Sequence, residues 1–157
     1  MIKIIAAVNN LNFIGKNNKL IFTDKIDMQH FKNTTIGSIV VMGYNTFLSL
    51  NSKPLPNRLN IVLTNKDLYN LSTNQLIFTN SIDFVLDLAI ENDVWIIGGG
   101  EIYKQFIDYC QELVLTEVDE NTVGDVLFPQ FNKADYTYTL LEKYDKFKIG
   151  VYSKRLL

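Results

Sequence analysis

"DVWIIGGGEIY", residues 93–103, holds the key to the fold. Its first half is a short, unbroken apolar run, which suits a strand covered on both faces. Three glycines follow, and 101–109 then reads as a helix. A buried strand that passes through glycine into a helix belongs to a parallel α/β layer. The glycines let the backbone come close to a ligand, and amides at a helix start favour phosphate. They would equally ease tight packing of helix on strand, so the stretch alone leaves both readings open. It is not a G-x-G-x-x-G within a βαβ unit, and the chain has no G-x-x-x-x-G-K-[ST], so the common dinucleotide fingerprint and the P-loop are both missing.

Similar runs surround it: "IKIIAAV" (2–8), "SIVVM" (38–42), "NIVLT" (60–64), "QLIFT" (75–79) and "ELVLTEV" (112–118). Helical patterns alternate with them at 24–33, 44–50 and 81–91, the last with Ser81 as N-cap. The end of the chain changes character. "YTYTLLEKY" and "FKIGVYSKRL" are adjacent strand patterns meeting around Asp145 and Lys146, which predicts an antiparallel hairpin. The expected fold is α/β, a single domain over 1–157. It has a mixed, mostly parallel central sheet of about eight strands flanked by helices, with the hairpin at its C-terminal end. Segments 9–23 and 119–135 read as long structureless loops, which in a small domain usually carry function.

A length of 157 residues supports one sizeable core. A formal net charge of -2 without a basic stripe argues against binding to a nucleic-acid backbone. A single cysteine, Cys110, excludes an internal disulfide and a cysteine-rich metal site, and points to a reducing compartment. With His30 the only histidine, neither a metal centre nor a Ser-His-Asp arrangement can be argued. "MIKIIAAVNN" is too short to span a membrane and reads as a first strand. A cytoplasmic protein without membrane or nucleic-acid partners is expected.

The chemistry-bearing candidate lies in "TDKIDMQHF" (23–31). On a helix capped by Asp24, Asp27 shares an arc with Met28 and Phe31, and an acid beside large apolar side chains is costly unless something meets it. One reading makes Asp27 the third helical residue, serving the helix dipole and a capping box. The other makes it the receptor for a planar amidine-like or guanidine-like group, gripped by two parallel charge-assisted hydrogen bonds. His30 falls on a different arc and is expected at the surface or in packing. In "VVMGYNTF" (40–47), Thr46 either caps a helix or meets phosphate. "PLPNR" (54–58) is a rigid turn carrying Arg58 outward, where its donor fork suits a carboxylate.

In their order and spacing these pieces resemble dihydrofolate reductase. The resemblance runs through "IAAV" and "IG" (5–15), Asp27 with Phe31, "VMGYNTF" (41–47), "PLPNR" (54–58), "IIGGGEIY" (96–103), "LTEVD" (115–119) and "GDVLFP" (124–129). It implies an oxidoreductase that reduces 7,8-dihydrofolate to 5,6,7,8-tetrahydrofolate with NADPH, supporting one-carbon metabolism and thymidylate synthesis. Hydride goes to pterin C6 while N5 takes a proton from water. Asp27 would hold the 2-amino group and adjacent ring nitrogen of the pterin, acting electrostatically, in a pocket lined by Ile5, Ala7, Met28, Phe31, Leu50 and Ile97. Thr116 would bond to Asp27, Arg58 would pair with the α-carboxylate of the glutamate tail, and Lys53 would stand on the rim. Tyr103 is implied in both substrate and cofactor contacts.

Ala7, Ile14, Gly15, Gly43, Tyr44, Asn45, Thr46, Leu63, Thr64, Asn65 and Lys66 map to the cofactor site, as do Gly98, Gly99, Gly100, Glu101 and Ile102. The resemblance also implies a non-proline cis peptide between Gly98 and Gly99, and a lid at 9–23 steadied by Gly124 and Asp125. No metal is implied, folate analogues would bind as inhibitors, and a monomer is expected.

Three departures stand out. Ile21-Phe22 replaces the family's usual Pro-Trp, so Phe22 occupies a catalytic position without the indole N–H that holds an ordered water there. Tyr44 stands where a basic residue commonly meets the adenosine phosphates and Glu101 adds an acid, which leaves Lys66 as the cation for the 2′-phosphate. "NSK" (51–53) is one residue longer than the usual "GR" before "PLP". Two rival readings remain. The pyrimidine reductases of riboflavin synthesis resemble the same fold and use the same cofactor, without a need for Asp27 or "PLPNR". A regulatory nucleotide-binding module would bind without turnover.

Overall fold

The structure, a computed structural model, describes residues 1–156. Strand β1 (Ile2–Asn9) is followed by two short strands, β2 (Phe13–Lys16) and β3 (Lys19–Leu20), and by helix α1 (Lys25–Thr35). Next come β4 (Ile39–Gly43), α2 (Tyr44–Ser49), β5 (Leu59–Leu63), β6 (Leu76–Thr79) and α3 (Ile82–Glu91). The chain continues through β7 (Val94–Gly98), α4 (Gly100–Phe106), β8 (Glu112–Val118) and β9 (Val126–Leu127). It closes with β10 (Tyr136–Lys143) and β11 (Phe147–Lys154).

Eight strands form one sheet in the order β10-β11-β8-β1-β7-β4-β5-β6. The six strands from β8 to β6 are mutually parallel, and β11 pairs antiparallel with both β8 and β10. The mixed sheet and its terminal hairpin are therefore as the apolar runs predict. Successive side chains explain why those runs are unbroken. Ile4, Val41, Ile61, Ile96 and Leu113 face a layer shared with Val85 of α3 and with Ile102 and Phe106 of α4. Their neighbours Ile5, Val40, Val62, Trp95 and Val114 face the other layer, with Phe47 of α2 and the partly buried Phe31 of α1. Both faces are covered, so neither face tolerates polar alternation.

Helix starts follow local chemistry. Ser81 accepts a hydrogen bond from the Phe84 amide at 3.1 Å, and Asp24 accepts from the amides of Ile26 (2.8 Å) and Asp27 (3.3 Å). The helix expected over 101–109 ends at Phe106 and tightens into a 3₁₀ turn, Ile107–Tyr109.

The two long segments are not structureless, which corrects the sequence reading. β2 pairs antiparallel with β3 and also with β9 from the second segment, so the two loops share a small three-stranded sheet. Asn9 roots it at the end of β1, although it is only 5% exposed. Its Oδ1 accepts from the amides of Leu11 (3.1 Å) and Phe13 (2.9 Å). Its Nδ2 donates to Glu120 Oε1 (2.6 Å) and to the Thr122 carbonyl (2.7 Å). Strands of two to four residues are too short to show a period, so only pairing reveals them.

Candidate active site

The parallel strands end along one edge, where open α/β sheets offer a ligand crevice. Register brings Ala7 of β1 opposite Thr116 of β8, Met42 of β4 opposite Gly98 of β7, and Gly43 opposite Leu63 of β5. Helices α1, α2 and α4 begin or pass beside these strand ends, so residues scattered over 5–116 are gathered there.

Asp27 is the third residue of α1, but its carboxylate does not turn back to complete a capping box. Thr116 Oγ1 donates to Asp27 Oδ1 at 2.5 Å, across 89 positions of sequence. Thr116 is 2% exposed and points from the sheet, so it fixes one carboxylate oxygen and leaves the other for a ligand. Burial raises the Asp27 pKa; the Thr116 hydrogen bond and nearby His30 oppose the rise, and Asp24 adds to it. Ile5 lies buried on β1, with Ala7 half-buried two residues on. Phe22, Phe31, Leu50 and Ile97 are half-buried and pack on the same apolar layer. Phe22 meets Phe147 with ring centroids 5.1 Å apart.

Met28 is 63% exposed and is not among the residues packed on that layer. One expectation about α1 is corrected. His30, three residues after Asp27, lies near it rather than on a separate arc, since positions three apart are neighbours on a helix. Burial lowers the His30 pKa, partly opposed by Asp27 and by Glu142 of β10. Its Nε2 is buried without a partner among the described residues, and Nδ1 lies 3.4 Å from Thr34 Oγ1.

Arg58 also departs from expectation. Instead of pointing into solvent, it is 9% exposed. Its Nε donates to the Pro56 carbonyl at 2.9 Å and its Nη1 to Thr35 Oγ1 at 3.0 Å. Burial lowers its pKa, yet no described ion pair involves it. A buried cation without an anion is costly, which makes the site receptive to a carboxylate. Lys53 is exposed, after Asn51 and Ser52, whose φ angles of 58° and 56° form the turn that takes up the extra residue.

The remaining candidates cluster at the glycine corner. The Gly98–Gly99 peptide is cis, and Gly98 has φ 119°, where a side chain is strained. A Cβ on Gly98 would also stand 3.2 Å from Tyr103 Oη, which donates to the Ile5 carbonyl at 2.8 Å. A Cβ on Gly43 would meet Ile102 Cγ1 at 3.0 Å, and one on Gly99 would lie 3.6 Å from Thr46 Oγ1. Gly100 opens α4, with Glu101 exposed beside it. At Gly98 and Gly43 the space a side chain would take is thus already filled by Tyr103 and Ile102, so these glycines serve tight packing of the corner.

On the outer side, Lys66 Nζ sits 5.3 Å above the Tyr44 ring. A cation therefore stands at Tyr44 even though position 44 is not basic. Thr64 Oγ1 holds the Lys66 amide at 3.1 Å, while Asn45 and Asn65 are exposed and Leu63 is buried. Ile14 is buried on β2, and the carbonyl of Gly15 accepts from the Asp125 amide at 2.9 Å. Asp125 Oδ2 accepts from the Asn17 amide at 2.9 Å, and Gly124 packs directly on the Gly15 carbonyl. No group of three His, Cys, Asp or Glu able to hold a metal occurs among the described residues.

Sequence reasoning missed Asn9 and Thr35, both buried and both making side-chain hydrogen bonds. Neither carries a signal in one sequence, because Asn and Thr are ordinary turn and helix-end residues until their partners are known.

Comparison with known proteins matches this arrangement. The dihydrofolate reductase family profile covers residues 1–153. The dihydrofolate reductase of Buchnera aphidicola subsp. Schizaphis graminum is 36% identical over 90% of this chain and 87% of that protein. The dihydrofolate reductase of Ureaplasma parvum serovar 3 is 34% identical over 99% of this chain and 98% of that protein. A solved dihydrofolate reductase from Enterococcus faecalis, complexed with NADP(H) and RAB-propyl, superposes with a TM-score of 0.84 at 28% identity. It covers 98% of this chain and 96% of that one. Similarity of this extent goes beyond a shared fold, and it decides among the three readings of the sequence: the chain belongs to the dihydrofolate reductase family.

Proposed function

We propose that this protein catalyses dihydrofolate + NADPH + H⁺ → tetrahydrofolate + NADP⁺, acting as one domain and as a monomer in the cytoplasm. The observation that carries the reading is the Thr116–Asp27 hydrogen bond of 2.5 Å at the edge of an apolar layer. It leaves one carboxylate oxygen free for a planar, nitrogen-rich ring. Membership of the family and similarity to a reductase solved with NADP(H) support the choice of cofactor. Among the described residues no helix is long and apolar enough to cross a membrane, and the buried, free Cys110 suits a reducing compartment.

The residues divide the work. Asp27 orients the pterin through its 2-amino group and adjacent ring nitrogen, and its charge favours protonation at N5. Ile5, Ala7, Phe31, Leu50 and Ile97 exclude water around the ring. Arg58 receives the α-carboxylate of the tail. Gly98, Gly99 and Gly100, with Gly43 and Thr46, receive the pyrophosphate side of the cofactor, and Tyr103 supports the corner from below. Lys66, held over Tyr44, meets the 2′-phosphate. Bound NADPH supplies a hydride, which goes to C6 of the pterin.

The direct test follows NADPH absorbance with dihydrofolate as substrate, with folate, biopterin and a pyrimidine substrate as controls. Oxidation of NADPH by the pyrimidine alone would overturn the reading. Lys66→Ala is expected to lower kcat/KM for NADPH about tenfold while leaving NADH unchanged, as loss of one charge-assisted contact does. Equal values for both cofactors in the wild type would remove Lys66 from that role. Phe22→Trp restores an indole N–H beside the pterin. It is expected to raise the rate about twofold to tenfold and to shift its pH profile, since an ordered water gains a partner. Unchanged rate and profile would separate position 22 from water placement.

A further inference from the structure

We propose that Thr35 is a positioning residue that aims Arg58 at the carboxylate of the substrate tail, and so sets the preference for substrates that carry one. The inference rests on the functional reading above and deepens it. Thr35 is a polar residue with no exposed surface, at the last turn of α1. Its single hydroxyl proton goes to the Phe31 carbonyl at 2.8 Å. Only its lone pairs are then left for Arg58, so Nη1 can donate to Thr35 Oγ1 at 3.0 Å in one orientation.

The second anchor is the Nε hydrogen bond to the Pro56 carbonyl at 2.9 Å. Two anchors on different nitrogens fix the plane of the guanidinium. No described residue takes a hydrogen bond from Nη2, and no acid neutralises the group. The Arg58 fork is thus held in place with donors to spare, the preorganised state that suits bidentate capture of a carboxylate.

Asp27, Phe31 and Thr35 recur every fourth residue, so they form one stripe of α1. The stripe runs about 12 Å along the axis at 1.5 Å per residue. It offers an acid for a heterocycle at one end, an aromatic face in the middle and, through Arg58, a cation at the other. A ligand with a cationic ring edge, an apolar spacer and an anionic tail matches that sequence of chemistries. A purely structural Thr35, bonding back to its own helix, would leave Arg58 to find another partner and would not discriminate among substrates.

Thr35→Val keeps the volume and removes the acceptor, and Thr35→Ser keeps the hydroxyl. Both are compared with wild type on dihydrofolate and on 6-methyl-7,8-dihydropterin, which has no tail. Thr35→Val is expected to raise KM for dihydrofolate about tenfold with kcat unchanged, and to leave both constants for the tailless substrate within about twofold. Thr35→Ser is expected to restore KM. An unchanged KM for dihydrofolate, an equal loss with both substrates, or failure of serine to restore binding would overturn the proposal. Wild-type enzyme that turns over neither substrate would instead overturn the functional reading, and the assignment of Thr35 with it.

Discussion

Asp27→Asn is expected to lower kcat/KM for dihydrofolate by about 100-fold, the scale on which a positioned group contributes to proton transfer or charge stabilisation. The amide keeps the size of the side chain and can still accept from Thr116 Oγ1, which donates to Asp27 at 2.5 Å in the wild type. It loses the charge. The reaction takes up a proton at N5, so the rate falls as pH rises past the point where the bound ring holds it. A nearby carboxylate raises the basicity of that nitrogen by Coulomb attraction, and an amide does not. The falling limb of single-turnover rate against pH therefore moves to lower pH in the variant. A limb that stays in place would deny Asp27 an electrostatic role.

Stability separates that effect from misfolding. Burial outweighs the other influences on Asp27 and raises its pKa, so the folded chain holds this proton to higher pH than the unfolded chain does. The associated stability is complete below the ordinary carboxyl range and is lost as pH rises through the raised value. Asn carries no such dependence. Denaturant titrations are expected to show the variant gaining on the wild type between acidic and neutral pH, while its activity is lost.

Gly124→Ala is expected to cost about 1–3 kcal/mol of stability, the range for forcing a methyl into packed surroundings. It should also raise KM for NADPH and open segment 9–23 to proteolysis. The added Cβ would collide with the Gly15 carbonyl oxygen and sit 3.0 Å from Phe13 Cβ. Backbone cannot step aside as a flexible side chain can. The alanine must therefore separate β2 from β9 and stretch the Asp125–Gly15 hydrogen bond of 2.9 Å that ties segment 9–23 to the second loop. Unchanged proteolysis at 9–23 together with wild-type KM would show that the two loops move independently.

Several elements are legible in the amino-acid sequence. Runs such as "SIVVM" and "DVWIIG" announced strands buried on both faces, because unbroken β-branched sequence fits no other place in a small domain. Asp24 and Ser81 marked helix starts, since an orphan amide needs a nearby oxygen and these residues carry one. Asp27 stood out because a charge beside Phe31 asks for a partner. The same reasoning failed at β2, β3 and β9, whose two to four residues have no pattern of their own and exist only as a paired set. It failed again at Arg58, where a rigid turn suggested solvent but the side chain folds back to Thr35.

By itself, then, the sequence determined the class of fold, the order of its main elements and the acid proposed for the centre of the chemistry. These depend on periodicity and on bonds between residues a few positions apart. Tertiary structure alone decided that Asp27 meets Thr116, that Arg58 turns inward to a hydroxyl on α1, and that two loops more than a hundred residues apart share a sheet. A side chain's pattern tells which face of its element it occupies. What lies across from that face depends on strand order and register, which many distant contacts settle together.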